Sequence, residues 1–408
     1  MIKRLIRRLK NCYTTPHDED HDEQPTQSIV PRPAVSHKPA KDLTVVSTTI
    51  TASVGINRRE LPKSVGNALL VGPEGEYHLE PNWPFPRILH DNEVLIRVQA
   101  VGLNPIDWKS VEYGFCLPQR PWAQASGVVE EVGSAVSDVH VGQKVWTSTY
   151  YKDIRAGCFQ ERIVVPAHTV LPVPSGVSME EAATLGVSGV TAAMVLWKWL
   201  GMGMPGTVLD NDHKTTSTSD PAKPEPQRYL LIWGGGTVTG QYATQLAALS
   251  DIKTITVCSA ATESLSYSLG ATHVVCRNGK TTQQIVDEIR AIAGDAIRSA
   301  LDLIGKSTST ACLNAVSSIA PVRFVPLATC PDATAIPGNI EMLNVEMKQF
   351  VLDPSNKVFA DELVRLVASR QVRCPDVKVL DGGLGMVPTG LKMVKEGLLK
   401  GRKVVVRL

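Results

Sequence analysis

The sequence predicts an α/β protein in which a barrel-like β module is joined to a doubly wound parallel sheet. Three observations predict it. From Asn67 the chain runs in short alternating stretches (NALLVGP, EVLIRVQAVGL, SGVVEEVGSAV, VGQKVWTS) cut by Gly and Pro, with no helical period between them. From Tyr229 the grammar becomes YLLIW, a glycine turn, a helical stretch at 241–249 and then TITVC, which is strand, turn, helix, strand. The tail from Phe359 ends in a helical VPTGLKMVKEGLL and a strand KVVVRL that lacks a sheet partner nearby, so it is expected to return to an earlier module.

Composition bounds the function classes. The 408 residues are 43 % apolar, with 42 Lys and Arg against 40 Asp and Glu and a formal net charge of +2. That length suits two or three domains and excludes disorder throughout. Opposite charges nearly cancel, which gives no long-range reason to expect nucleic acid as a partner, since such binding needs a clustered basic footprint. None of the eight cysteines forms a C-x-x-C pair, which argues against a disulfide scaffold or a zinc knuckle. Ala182 to Trp197 is a run of 16 uncharged residues, short of the roughly 18 that cross a bilayer. Gly186, Ser188, Gly189 and Thr191 interrupt it, and it reads as a buried helix with a polar entrance.

Taken in order, residues 1–64 read as a disordered arm. It opens with MIKRLIRRLK, whose Ile2, Leu5, Ile6 and Leu9 share one face of a short basic amphipathic helix. The acidic run HDEDHDE at 17–23 follows directly, which speaks against a mitochondrial presequence. A solvated arm on a cytoplasmic protein is the expectation, with targeting as the alternative. Residues 65–194 and 345–408 are assigned to the β module and 195–344 to the parallel-sheet domain. Within the latter, 201–228 is rich in Pro, Ser, Thr and Asp and reads as a surface loop.

The strongest local signal is Gly234-Gly235-Gly236-Thr237-Val238-Thr239-Gly240, set between a buried strand and a helix. Glycines let a pyrophosphate approach the backbone, and the helix start offers N–H donors and a positive dipole end. A strict G-x-G-x-x-G is broken at Thr239; the spacing fits a variant running Gly234, Thr237, Gly240. An NAD site carries an acid at the end of the next strand, but here that strand ends in Cys258-Ser259. Ser259 tolerates and can bond a 2′-phosphate, so NADPH is the expected cofactor. Tyr267, on the following helix, either stacks near that phosphate or packs on the sheet.

The order of motifs resembles the medium-chain dehydrogenase/reductase superfamily over about residues 65–408. The resemblance is carried by VGLNPIDWK (101–109), SGVVEEVGSAVSDVHVGQKVW (126–146), GCFQERIVVP (157–166), EEAATLGVSGVTAA (180–193) and GGGTVTGQYATQLA (234–247). It implies a GroES-like β-barrel catalytic domain, made from both chain ends, around a Rossmann domain. Within the superfamily the chain looks like the zinc-free fungal branch of TOXD-like proteins and trans-acting enoyl reductases; EGLLKGRKVVVRL is similar to their ending. Metal-dependent relatives place zinc ligands where this chain has Asn104, Trp122-Ala123-Gln124 and Leu185, and neither a thiolate nor an imidazole stands there, so no metal is expected.

By the same resemblance, Lys109 and Thr191 line the cofactor and substrate pocket. Lys109 would steady a developing enolate or the cofactor, and Thr191 would hold the nicotinamide side. The plainer alternatives are a lysine lying over the barrel surface and a helix-start threonine bonded to its own backbone. Asp107 reads as a turn-forming side chain and is left out of catalysis. The expected activity is zinc-independent, NADPH-dependent reduction of an activated C=C bond in an enoyl or enone substrate, with a polyketide synthase as the partner the resemblance implies, by a monomer or homodimer. The alternatives are a quinone or alkenal reductase, or dehydrogenase, acting on free small molecules, and a catalytically idle NADPH-binding subunit.

Overall fold

Residues 64–114, 124–149, 153–205, 228–305, 307–327, 330–331 and 334–408 are described by a computed structural model. The basic helix and arm before Ser64, Trp122-Ala123 and positions 206–227 of the expected loop lie outside these residues.

Alternation of apolar and polar residues builds the first module. A hairpin of β1 (Val65–Val71) and β2 (Tyr77–Pro84) precedes β3 (Glu93–Gly102), α1 (Pro105–Glu112), β4 (Gln124–Val132), β5 (Lys144–Ser148), β6 (Arg162–Pro166) and β7 (Val170–Pro172). Helix α1 is a difference from expectation, since the local pattern gave no helix between these strands. Asn104 and Pro105 explain it: the residue before a proline is held extended, and Pro at the first helical position costs no hydrogen bond. A helical run then passes from α2 (Met179–Ala182) through α3 (Val190–Met194) to Trp199, widened to π geometry at Leu185–Gly189 and Val195–Trp199. It is the buried helix expected at 182–197.

Six parallel strands form the second sheet: β8 (Tyr229–Trp233), β9 (Lys253–Cys258), β10 (His273–Cys276), β11 (Ile297–Asp302), β12 (Val322–Pro326) and β13 (Ile340–Met342). Their order is β10-β9-β8-β11-β12-β13. Numbered from β8, this is the 3-2-1-4-5-6 order of the Rossmann fold, with the connectivity reversing between β8 and β11. The strands are joined through α4 (Val238–Leu249), α5 (Glu263–Ser268), α6 (Thr282–Ala293) and α7 (Ser309–Ala315). Both faces of β8 are covered: Leu230 and Ile232 pack with Tyr242 and Leu246, while Leu231 and Trp233 face Ile285 and Ile289.

The chain then returns. After α8 (Gln349–Leu352), α9 (Lys357–Ala368), β14 (Val377–Leu380) and α10 (Val387–Lys395), the last strand β15 (Lys403–Arg407) pairs antiparallel with β3. The resulting seven-stranded sheet runs β14-β15-β3-β4-β5-β7, with β6 also on β3. Ile96, Val101, Phe159, Ile163, Val404 and Val406 fill its core. The expected combination of GroES-like module and Rossmann domain is therefore the observed fold.

Candidate functional site

The glycine turn lies at the C-terminal end of β8, at the switch point where open α/β sheets bind their ligands. Gly234 has φ +99°, a conformation that favours glycine, and the N–H groups of Gly234 and Gly235 each donate to Val257 O at 3.0 Å. A Cβ on Gly235 would stand 1.7 Å from Thr256 Cγ2, and one on Gly236 2.3 Å from Thr262 Oγ1, so the loop is a cradle with no room for side chains. Thr237 caps α4: its Oγ1 accepts from Gly240 N at 3.1 Å and donates to Gly234 O at 2.8 Å. A Cβ on Gly240 would be 2.4 Å from Gly234 O, so Gly240 makes the close helix-to-turn approach that Thr239 had seemed to interrupt. Val238 and Thr239 lie in the first turn of α4, whose N–H groups have no intrahelical acceptor.

Ser259 follows β9 directly and is half-buried, with its Oγ 3.4 Å from Thr262 Oγ1, the atom that borders Gly236. The fold thus brings Ser259 to the glycine turn. Tyr267 lies farther along α5 and is 50 % exposed. No Lys or Arg adjoins Ser259 in the sequence. The parallel register sets Cys276 opposite Cys258, and the next residue, the exposed Arg277, donates its backbone N–H to Cys258 O at 2.9 Å, which places a cation-bearing residue at this edge. A strand-end arginine two elements away carries no local signal.

Lys109 sits half-buried on α1, its Nζ 5.7 Å from the Trp108 ring centroid; Lys395 approaches the same ring at 5.3 Å and pairs with Glu112. Thr191 is 3 % exposed on α3, one turn after Ser188. The elements that carry Lys109 and Thr191 converge on one buried side chain. Lys403, at the start of β15, donates to Asn104 Oδ1 at 2.5 Å and to Ser188 Oγ at 3.3 Å. Gln124 Nε2 reaches the same Asn104 Oδ1 at 3.4 Å, and its Oε1 accepts from Val187 N.

Asp107 bonds the local backbone as a turn-forming side chain does, but its burial was not expected. It is fully buried, and its Oδ2 accepts from Asn104 N at 2.6 Å while Oδ1 has no partner. Burial pushes its carboxyl up, opposed by the Asn104 N–H and the Lys403 charge; burial pushes the Lys403 ammonium down, opposed by Asp107. The places that resemblance assigns to zinc ligands hold, among the described residues, the carboxamides of Asn104 and Gln124 and the fully buried Leu185. Their hydrogen bonds go to one another, to backbone and to an ammonium. No cluster of three or more His, Cys, Asp or Glu suited to a metal occurs among the described residues.

Comparison with known proteins matches residues 90–175 to the alcohol dehydrogenase GroES-like domain. The chain is 30 % identical over 356 residues to the trans-enoyl reductase sthE of Phaeosphaeria nodorum, covering 81 % of this chain and 92 % of that one. It is 28 % identical over 355 residues to the trans-enoyl reductase calK of Penicillium decumbens, covering 80 % and 92 %. Among solved structures, Escherichia coli quinone oxidoreductase complexed with NADPH superposes with a TM-score of 0.66 at 17 % identity, over 84 % of this chain and 100 % of that one.

Proposed function

The chain belongs to the zinc-free medium-chain dehydrogenase/reductase family, in its trans-enoyl reductase branch, and from that premise we propose that it reduces the activated C=C bond of an enoyl substrate with NADPH. The observation that carries the reading is the glycine cradle at the switch point, against which the C-terminal turn folds: Gln241 Nε2 donates to Gly236 O at 3.2 Å and to Gly401 O at 2.5 Å. The residues fit a phosphorylated dinucleotide: a backbone cradle too tight for any Cβ, a capped helix start beside it, and Ser259 in place of an acid at the end of β9.

Bound NADPH supplies the hydride that the β-carbon of the substrate accepts. The chain's own residues do the rest. Gly234 to Gly240 and the start of α4 hold the pyrophosphate, and Ser259 bonds the 2′-phosphate, with Tyr267 on the adjoining helix. Thr191 orients the nicotinamide side. Lys109 stabilises the negative charge that develops on the carbonyl oxygen as the β-carbon is reduced, before the α-carbon takes its proton. With carboxamides and a leucine at the matching ligand places, the electrophile is an ammonium and not a Lewis-acid metal. The substrate class is an α,β-unsaturated thioester, in keeping with the name trans-enoyl reductase carried by sthE and calK, and a polyketide synthase is the partner proposed to present it.

The test is NADPH oxidation by the purified chain with a crotonyl-type thioester, with a quinone, and with each plus NADH. Turnover of the thioester with NADPH is expected. Turnover of quinone alone overturns the substrate class, and NADPH binding without turnover of either assigns the chain to the idle alternative.

A further inference from the structure

Lys403 touches neither substrate nor cofactor in the proposed reaction, and its burial needs a reason. It is 3 % exposed at the head of a strand whose next three residues, Val404, Val405 and Val406, are all fully buried. A hydrophobic residue there would avoid the desolvation of an ammonium, so stability alone does not account for it.

Its contacts supply the reason. Through Asn104 Oδ1 it holds the first residue of the α1 entry, and Asp107, which accepts from the backbone N–H of the same Asn104, stands two residues before Lys109. Through Ser188 Oγ it holds the helical run one turn before Thr191. Two residues upstream, in the turn that precedes its strand, Gly401 is tied by Gln241 to Gly236 of the glycine cradle. The register makes this juxtaposition: Val405 pairs with Gly102, which sets Lys403 opposite Asn104.

Resting on the NADPH-dependent reading above, we propose that Lys403 is a positioning residue that couples the dinucleotide cradle to the two elements carrying Lys109 and Thr191, so that cofactor docking and alignment of the reducing site are one event. The coupling path is continuous: Gly236, Gln241, Gly401, Lys403, then Asn104 with Asp107 on one branch and Ser188 on the other. Gln124 braces the junction by donating to Asn104 and accepting from Val187.

The experiment compares the intact wild-type chain with two variants by NADPH titration, hydrogen exchange of residues 105–112 with and without NADPH, and steady-state kinetics. Lys403→Met alone strands the buried Asp107, so the first variant is the charge-neutral Lys403→Met/Asp107→Asn. The second, Gln241→Leu, cuts the path at its cofactor end and leaves the buried pair intact. In the wild type, NADPH is expected to slow exchange in α1 by about fivefold or more. Both variants are expected to bind NADPH within about fivefold of wild type, to lose that protection, and to show kcat lowered by about tenfold or more with the substrate KM little changed. Adding Lys109→Ala to either variant should then cost less than it does in the wild type, a non-additivity that a purely structural role does not produce.

Undiminished α1 protection in Gln241→Leu overturns the coupling, whether or not the double variant folds. A wild type that binds NADPH without protecting α1 overturns this inference alone. A wild type that does not bind NADPH overturns the proposed function and takes this inference with it.

Discussion

Gly240→Ala isolates the close approach of α4 to the glycine turn. The added Cβ would lie 2.4 Å from Gly234 O and 2.7 Å from Gly235 Cα, both backbone atoms that no rotamer change can move. Restoring a separation of about 3.0 Å requires the helix start to retreat by about 0.6 Å. A phosphate hydrogen bond of about 2.9 Å then stretches to about 3.5 Å, the edge of what counts as one. Losing one bond to a charged group is worth about 1.5–3 kcal/mol, so the NADPH Kd should rise by about 10- to 150-fold. Folding stability should change less. Overpacking costs about 1–3 kcal/mol, and alanine's better helix propensity offsets about 1 kcal/mol of it. The assay is fluorescence titration of NADPH beside thermal unfolding, with Gly338→Ala as the control, because nothing lies within 4 Å of a Cβ there. If Gly240→Ala binds NADPH within about threefold of wild type, the pyrophosphate does not sit on this helix start.

Ser259→Asp should weaken NADPH by about tenfold or more relative to NADH, read as the ratio of the two Kd values, because a carboxylate at the end of β9 repels the 2′-phosphate and accepts the ribose hydroxyl. Lys109→Ala should lower kcat by about 10- to 100-fold with the NADPH Kd within about threefold; full activity contradicts the enolate-stabilising role. A structural prediction concerns Glu93. Burial raises its pKa, but the Arg155 guanidinium at 2.7 Å and the N–H groups of Leu89 and His90 outweigh that and hold it at about 2, against 4.5 ordinarily. A depressed carboxylate stabilises the fold above about pH 4.5 and loses that contribution as pH falls towards 2, an effect of about 3 kcal/mol at most. Urea midpoints at pH 3 and 7 should therefore converge in Arg155→Met, and an unchanged gap between them sinks the assignment.

How much of this was legible in the sequence depends on how local each signal is. Most units of the Rossmann sheet are a strand, a turn and a helix contiguous in the chain, so YLLIW, the glycine turn and TITVC already imply the arrangement; right-handed crossovers narrow the strand order without selecting the observed one. Thr239 looked like a defect in the glycine pattern because a pattern counts residues. The backbone counts approaches, and Gly240 makes the one that matters.

The GroES-like module is harder to read, because β3 collects partners from far apart: β4 and β6 nearby, and β15 some three hundred residues on. That last pairing carries the proposed coupling, since it sets Lys403 beside Asn104. A lysine heading KVVVRL resembles any solvated strand end, and Asp107 in NPID resembles any turn aspartate. Neither residue reveals its burial until the register brings them together. One sequence cue was present, since an unbroken Val-Val-Val run suits a strand covered on both faces, and its leading residue shares that burial. Local periodicity thus identifies the glycine turn proposed to hold the dinucleotide, whereas the contacts of Lys403 with Asn104 and Ser188 join residues far apart in the chain. A buried ammonium that bridges three elements constrains their relative positions in a way that a valine, which packs but does not aim, does not.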